Sequence, residues 1–181
     1  MISNGNKGNS TLTGADFENK TSFLKRINML SKVDSKTYEL FIKDEFNFMY
    51  INTNIFYVPK NDMYSYLYHR HGINYRKIIH KKILPDEVII NENTKQVFIF
   101  EKKFQMVGGS VDEKLQTCHF KKHHLSKLFK KINYTVHYTY ILNDWFKRVE
   151  YKDVLEYIHD MECDYFFNKL SKEQIKKMFE I

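Results

Sequence analysis

The stretch from residue 84 to residue 117 constrains this chain most, because it dictates a β-hairpin and fixes where the hairpin's charges fall. Two short apolar runs, Val88-Ile89-Ile90 and Val97-Phe98-Ile99-Phe100, flank the polar segment Asn91-Glu92-Asn93-Thr94-Lys95. Apolar runs of this length bounded by turn residues read as strands, and the segment between them has the chemistry of a tight connection, so the two pair antiparallel. With Ile90 opposite Val97, Asp86 lies directly opposite Glu101, their Cβ atoms roughly 5 Å apart. A period of two then puts Lys103 on the face of Glu101 and Lys102 on the other. Two carboxylates and an ammonium meet on one face at the end of an apolar hairpin, which describes a divalent-metal site with a basic group beside it. The alternative is a surface ion-pair cluster at a sheet edge. Such pairs contribute little to stability, a weaker reason for an apolar strand to end in charges.

The rest of the chain frames this hairpin. Residues 1–13 read as a polar, flexible arm, and residues 14–32 as a helix carrying Phe17, Leu24, Ile27 and Leu30. Residues 37–42 and 48–58 are rich in Tyr, Phe, Ile and Thr and read as strands. Asn61 and Gly72 bracket a helix expected to turn Tyr64, Leu67 and Tyr68 inward. A short helical or irregular piece over 75–82 leads into the hairpin. After it, Ser110 and Glu113 form an S-x-x-E capping box for a helix running to about Lys130. A strand over 133–142, a helix over 151–161, a short strand over 165–167 and a helix capped by Ser171 and Gln174 complete the chain. The only tryptophan, Trp145, is expected to pack at a strand end. No repeat or interdomain linker interrupts residues 1–181. The expectation is one α/β (α+β) domain with a central mixed sheet.

Composition narrows the partners. The 181 residues are 43% hydrophobic and 16% aromatic, enough for one packed core. A net charge of +7 points to a polyanion, nucleic acid first, with a merely soluble basic protein as the bland reading. Cys118 and Cys163 are isolated, which argues against a zinc ribbon and for a reduced, cytoplasmic setting. No apolar run approaches the ~20 residues of a membrane span, and the first residues lack the apolar region of a signal peptide. Loops of the G-x-x-x-x-G-K-[ST], G-x-G-x-x-G and G-x-S-x-G types are absent, so no nucleotide cofactor is expected.

Pro85-Asp86, fourteen residues, then Glu101-x-Lys103 resembles the signature of the PD-(D/E)xK nuclease superfamily. Phe104-Gln105 and the run from Gly108 through Thr117 resemble the segment that follows the E-x-K in many type II restriction endonucleases. Tyr140-Ile141-Leu142-Asn143-Asp144-Trp145-Phe146 resembles a strand and turn found further on in some of them. The resemblance spans roughly residues 14–170 and is strongest over 84–117. It implies a restriction-endonuclease-like fold and a Mg²⁺-dependent type II enzyme of a restriction-modification system. Such an enzyme hydrolyses double-stranded DNA at a specific site to 5′-phosphate and 3′-hydroxyl ends, as a homodimer. Asp86 and Glu101 would ligate Mg²⁺ with the main-chain carbonyl of Lys102, and Lys103 would orient the attacking water. Other superfamily nucleases (homing endonucleases, resolvases, repair nucleases) are the nearest alternatives. A non-catalytic DNA-binding protein of the same fold is the alternative of another class.

Further residues receive candidate roles. Glu18 resembles the acid that the superfamily's first helix points into the site; it is otherwise an acid favoured by the dipole of a first helical turn. Gln105 shares the face of Glu101 and Lys103. Ser110, at a helix N-terminus after Gly108-Gly109, and Lys114 are candidates for holding phosphate. The basic clusters containing Arg70, Arg76 and Lys81, and then Lys121 and Lys122, read as DNA-facing surfaces. His119 and His123 have the i, i+4 spacing of a metal pair, but the surrounding lysines favour a basic helix face along a nucleic-acid backbone.

Overall fold

The computed structural model describes residues 8–22, 42–43, 49–52, 54–109, 111–171 and 173–175. The readings of residues 23–41 and of Ser110, with its capping box, lie outside this set. Among the described residues, seven strands follow one another across a single sheet in chain order: β1 Ile42–Lys43, β2 Met49–Asn52, β3 Ile55–Tyr57, β4 Glu87–Asn91, β5 Gln96–Lys103, β6 Thr135–Leu142 and β7 Asp164–Phe167. Neighbours from β1 to β5 are antiparallel, whereas β6 and β7 run parallel to β5. The change of sense follows from the connections. A short turn closes β4 onto β5, but parallel neighbours need a crossover, supplied here by α3 (Val111–Leu115) with α4 (Cys118–Phe129), and then by α5 (Lys152–Asp160).

The pleat sorts side chains into two cores. Val88, Ile90, Val97, Ile99, Val136, Tyr138 and Tyr140 pack with Met63, Leu67, Leu125, Phe129 and Ile158 from the helices on one face. Ile55, Tyr57, Ile89, Phe98, Phe100 and Ile141 pack with Phe17, Leu170 and Ile175 on the other. The chain is thus a mixed α/β protein, with a mixed sheet flanked by helices. Among the described residues no helix is long and apolar enough to cross a membrane.

Several local expectations change. Helix α1 covers Gly8–Lys20, so it begins inside the stretch read as an arm; burial of Phe17 against the sheet outweighs the weak helix propensity of Ser10, Thr11 and Thr13. The stretch read as one strand over 48–58 holds two antiparallel strands, Met49–Asn52 and Ile55–Tyr57, with Asn52 paired to Ile55. Helix α2 (Asp62–His71) ends at Gly72 in the left-handed region, φ 66°, as predicted. Asn61 lends it no side-chain cap; its Oδ1 accepts from Lys82 Nζ instead (3.0 Å). Tyr68 is exposed, and Met63 and Tyr66 join Tyr64 and Leu67 in the core. The long helix after the hairpin breaks at Gln116-Thr117 into α3 and α4. There Thr117 Oγ1 donates to the Lys114 carbonyl (2.7 Å), a local bond that competes with helix continuation. Ser171 and Gln174 form the expected reciprocal cap, Ser171 N–H to Gln174 Oε1 at 2.6 Å and Gln174 N–H to Ser171 Oγ at 3.2 Å. Trp145 packs at the exit of β6, donating to the Tyr151 hydroxyl (2.7 Å).

Candidate active site

The hairpin forms in the predicted register, Ile90 opposite Val97, with Glu87 opposite Phe100 as its last pair. One step further, Asp86 faces Glu101. Pairing with β6 fixes the direction of each main-chain group. Asn143 N–H donates to the Lys103 carbonyl (3.3 Å), so Lys103 faces β6 and Lys102 faces β4. Across from Lys102 the register places Pro85, which has no N–H to give, and whose carbonyl accepts from Lys60 N–H instead (3.0 Å). Asp86 Oδ2 therefore takes the Lys102 N–H (2.8 Å), and the ladder offers the Lys102 carbonyl no donor. The proline has a definite consequence here: it frees one carbonyl beside two carboxylates.

On this face Glu101 Oε1 accepts from Lys103 Nζ at 2.8 Å and from Lys121 Nζ at 2.8 Å. Buried Tyr138 and Tyr140 stand behind them, on the same face of β6. The two carboxylates are tuned in opposite directions. Burial raises the Asp86 carboxyl, and the negative charge of Glu101 adds to the rise. The Lys102 N–H and the Lys103 ammonium oppose it, and Glu18 raises it further. Burial also pushes Glu101 upward, but Lys103 and Lys121, as charges and as hydrogen-bond donors, outweigh it, so Glu101 lies below its ordinary value. One acid sits uneasily without a cation; the other is already neutralised by two.

The set fits a hard divalent cation. Asp86 Oδ1 and Glu101 Oε2 carry no hydrogen bond among the described residues, and the Lys102 carbonyl follows directly after Glu101, on the residue whose N–H is held by Asp86. Those are oxygen donors, the kind Mg²⁺ takes while keeping several waters. Among the described residues no three His, Cys, Asp or Glu side chains come together as a metal cluster, so the set depends on the carbonyl and on water. The rings of His119 and His123 lie tilted to each other, centroids 6.3 Å apart, without a third such ligand among the described residues.

The other predicted residues distribute unevenly. Glu18 lies near the end of α1 rather than in its first turn, so the dipole explanation for an acid there fails. Its charge bears on Asp86, and its main-chain carbonyl accepts from Lys102 Nζ (3.1 Å). Gln105 is buried, its main chain clasped by Asn143: N–H to Oδ1 at 3.1 Å, carbonyl from Nδ2 at 2.8 Å. Lys114 is exposed, and its carbonyl accepts from the Tyr140 hydroxyl (2.9 Å). Arg70 pairs with Glu92 (3.0 Å) over the ring of Phe56. Glu92 lies in the hairpin turn, which puts this pair roughly 23 Å along β5 from Lys103. Arg76 and Lys81 are exposed, and Lys122 donates to the Glu162 carbonyl (2.6 Å).

Two participants escaped the sequence reading. Lys121 counted as one lysine in a basic run, yet Cys118, Lys121, Leu125 and Leu128 lie on one helical stripe, and the other three are fully buried. A lysine on a core-facing stripe was the available signal. Glu87 was missed as well. It pairs with Lys102 Nζ (3.2 Å) on the opposite face and accepts from the Tyr57 hydroxyl (3.1 Å). Compared with known proteins, the chain matches no family model, no curated protein and no solved structure.

Proposed function

We propose that this chain is a Mg²⁺-dependent endonuclease of the PD-(D/E)xK type, acting on double-stranded DNA in the manner of type II restriction enzymes and sharing their fold. The observation that carries the reading is the meeting of Asp86, Glu101, the undonated Lys102 carbonyl and Lys103 at one end of the hairpin. Asp86, Glu101 and the Lys102 carbonyl would hold Mg²⁺, which would supply polarisation of a phosphate oxygen and a lowered pKa for a water. The pleat keeps the two carboxylates on one face. Lys103 lines up the attacking water and stabilises charge on the phosphate. Glu18, whose charge bears on Asp86, and the sequence candidates Gln105, Ser110 and Lys114 would accompany the bound strand.

Hydrolysis forms a bond between the water oxygen and phosphorus and breaks the bond from phosphorus to the 3′-oxygen. The water's proton is lost as attack proceeds, and the departing 3′-oxygen gains one, leaving a 5′-phosphate and a 3′-hydroxyl. The net charge of +7 supports a polyanionic substrate, with Arg70, Arg76, Lys81 and Lys122 as candidate phosphate contacts. Cutting both strands of a symmetric site requires two such centres, hence a homodimer.

The test is digestion of plasmid DNA with Mg²⁺, followed by sequencing of the ends. Discrete fragments with 5′-phosphates support the reading. Ca²⁺ supports binding without cutting, since it accepts the same oxygen ligands with looser geometry. Cleavage persisting in excess EDTA, or no cleavage of any duplex with Mg²⁺, overturns it. Nicks without sequence preference, or cleavage only at branched junctions, point to another nuclease of the superfamily.

A further inference from the structure

We propose that Lys121 is a second active-site lysine, stored on Glu101 in the metal-free protein and released to a non-bridging oxygen of the scissile phosphate when Glu101 turns to the cation. This rests on the nuclease reading above and adds to it a residue outside the P-D, E-x-K pattern.

Three observations carry the inference. First, Lys103 Nζ and Lys121 Nζ donate to the same oxygen, Glu101 Oε1, each at 2.8 Å. Lys103 also bears on the Asp86 carboxylate, whereas Lys121 pairs with Glu101 alone among the described residues, so Lys121 is the ammonium that loses its partner when Glu101 is drawn away. Second, Lys121 occupies the core-facing stripe of α4 and retains only 20% of its side-chain exposure. Holding a long cation against the protein costs side-chain entropy and solvation, and a solvated lysine on the outer face of the helix would incur neither cost. Third, the two lysines reach Glu101 from different elements, Lys103 from the end of β5 and Lys121 from α4. They therefore approach an incoming phosphate from different sides, and the flexible four-carbon stem lets Lys121 move while α4 stays in place.

An ammonium and a divalent cation compete for one carboxylate, because like charges repel at close range. Once Glu101 serves the cation, Lys121 needs another anion, and the phosphate is the one this site is read to admit. Its contribution to DNA affinity is thus linked to the cation.

The experiment measures dissociation constants of a mixed-sequence duplex by fluorescence anisotropy, in EDTA and in Ca²⁺. Lys121→Met is expected to weaken binding about tenfold in Ca²⁺, the equivalent of ~1.4 kcal/mol, and by less than about twofold in EDTA. Lys121→Arg, which keeps the charge, is expected to retain the Ca²⁺ affinity, which separates removal of the ammonium from a failure to fold. On a Glu101→Gln background, where the lysine is already loosened, Lys121→Met is expected to weaken binding in EDTA as well. Equal losses in EDTA and Ca²⁺ for the single variant make Lys121 a permanent phosphate ligand and overturn the proposal. Loss in neither makes it a structural counter-ion and overturns it too. Cleavage distinguishes this failure from the larger one. A parent protein without Mg²⁺-dependent cleavage overturns both readings, whereas a cutting parent matched in rate by Lys121→Met overturns only this one.

Discussion

At the end of the hairpin a carboxylate and an ammonium meet on each face of the sheet, Glu101 and Lys103 from β5 on one and Glu87 from β4 with Lys102 from β5 on the other, and the two sets differ in almost every physical respect. On one face Glu101 meets Lys103 and Lys121 in a corner where 12–20% of each side chain remains exposed. On the other, Lys102 and Glu87 are 5% exposed each, and the Tyr57 hydroxyl and the Glu18 carbonyl complete their hydrogen bonds. The sealed pair is compensated by protein groups. The open cluster gathers two ammoniums on one glutamate, and beside them lies an aspartate raised by burial and by the charge of Glu101. A charged group inside a fold is compensated by other protein groups or is kept for something that arrives. Alternate residues of a single strand take the two courses.

The largest expected effect lies on the open face. Asp86→Ala, Glu101→Ala and Lys103→Ala are each expected to lower the cleavage rate at saturating Mg²⁺ by at least roughly 10²-fold, the scale for removing one group that stabilises developing charge. Specific DNA binding in Ca²⁺ should survive. Cleavage within a few-fold of the parent by any one of the three, measured in single turnover, breaks the distinction between the faces.

The sealed face should answer in stability instead. Lys102→Met or Glu87→Leu alone strands a buried charge and is expected to cost ~3–5 kcal/mol in urea unfolding. The double replacement should recover much of that loss, because an apolar pair of similar volume suits the interior. The Lys102 carbonyl is main chain, so the doubly replaced protein keeps its oxygen donors and is expected to cut. If the double variant is as unstable as the singles, the pair is more than a mutual compensation.

How much of this contrast the sequence carried can be followed residue by residue. The register of the hairpin and the facing of Asp86, Glu101 and Lys103 were legible, because period two and turn chemistry act locally. Pro85 was legible as a letter of a motif but not as the cause of a freed carbonyl, which needs the register of β4 and β5 and the bond to Lys60. Glu87 and Lys102 were invisible as a pair, since what seals them is Tyr57 from β3 and the end of α1. Lys121 was hidden by its setting: four basic residues among Lys121-Lys122-His123-His124 mask a stripe that only burial reveals. The pairing of Asn52 with Ile55 was missed because aromatic and β-branched residues on both sides read as one long strand.

A smaller effect sets the two carboxylates of the open face against each other. The folded value of Asp86 is raised above 3.8, so its stability contribution is fully present below that pH and is lost as pH rises through the raised value. Glu101 is lowered below 4.5, so its contribution is present above 4.5 and lost as pH falls through the lowered value. At neutral pH in EDTA, Asp86→Asn is therefore expected to raise Tm by at least ~2 °C, the response to somewhat under 1 kcal/mol in a chain of this length. Glu101→Gln, which leaves two ammoniums uncompensated, should lower it. Adding Mg²⁺ should stabilise the parent and not the Asp86→Asn protein. A calorimetric scan in which both variants shift the same way contradicts the opposed tuning.

The smallest effect concerns helix α4 itself, whose two adjacent lysines point to different tasks. The two lysines are equally covered, at 20% and 19% exposure, but Lys121 turns to the buried Glu101, while Lys122 holds Glu162, a residue whose side chain is 89% exposed. A pair with so exposed a partner contributes little and yields readily to another anion. Lys131, at the end of the same helical segment, is exposed. Replacing Lys122 and Lys131 by Ala is expected to weaken binding to all duplexes alike and to flatten log K against log salt by roughly 0.9 for each phosphate no longer neutralised. That flattening should appear in EDTA and in Ca²⁺ equally, unlike the cation-linked loss expected of Lys121. Binding isotherms at several salt concentrations decide the matter. If the double replacement leaves the slope intact and changes which sequence is cut, Lys122 and Lys131 lie where base edges are read and do not serve the backbone.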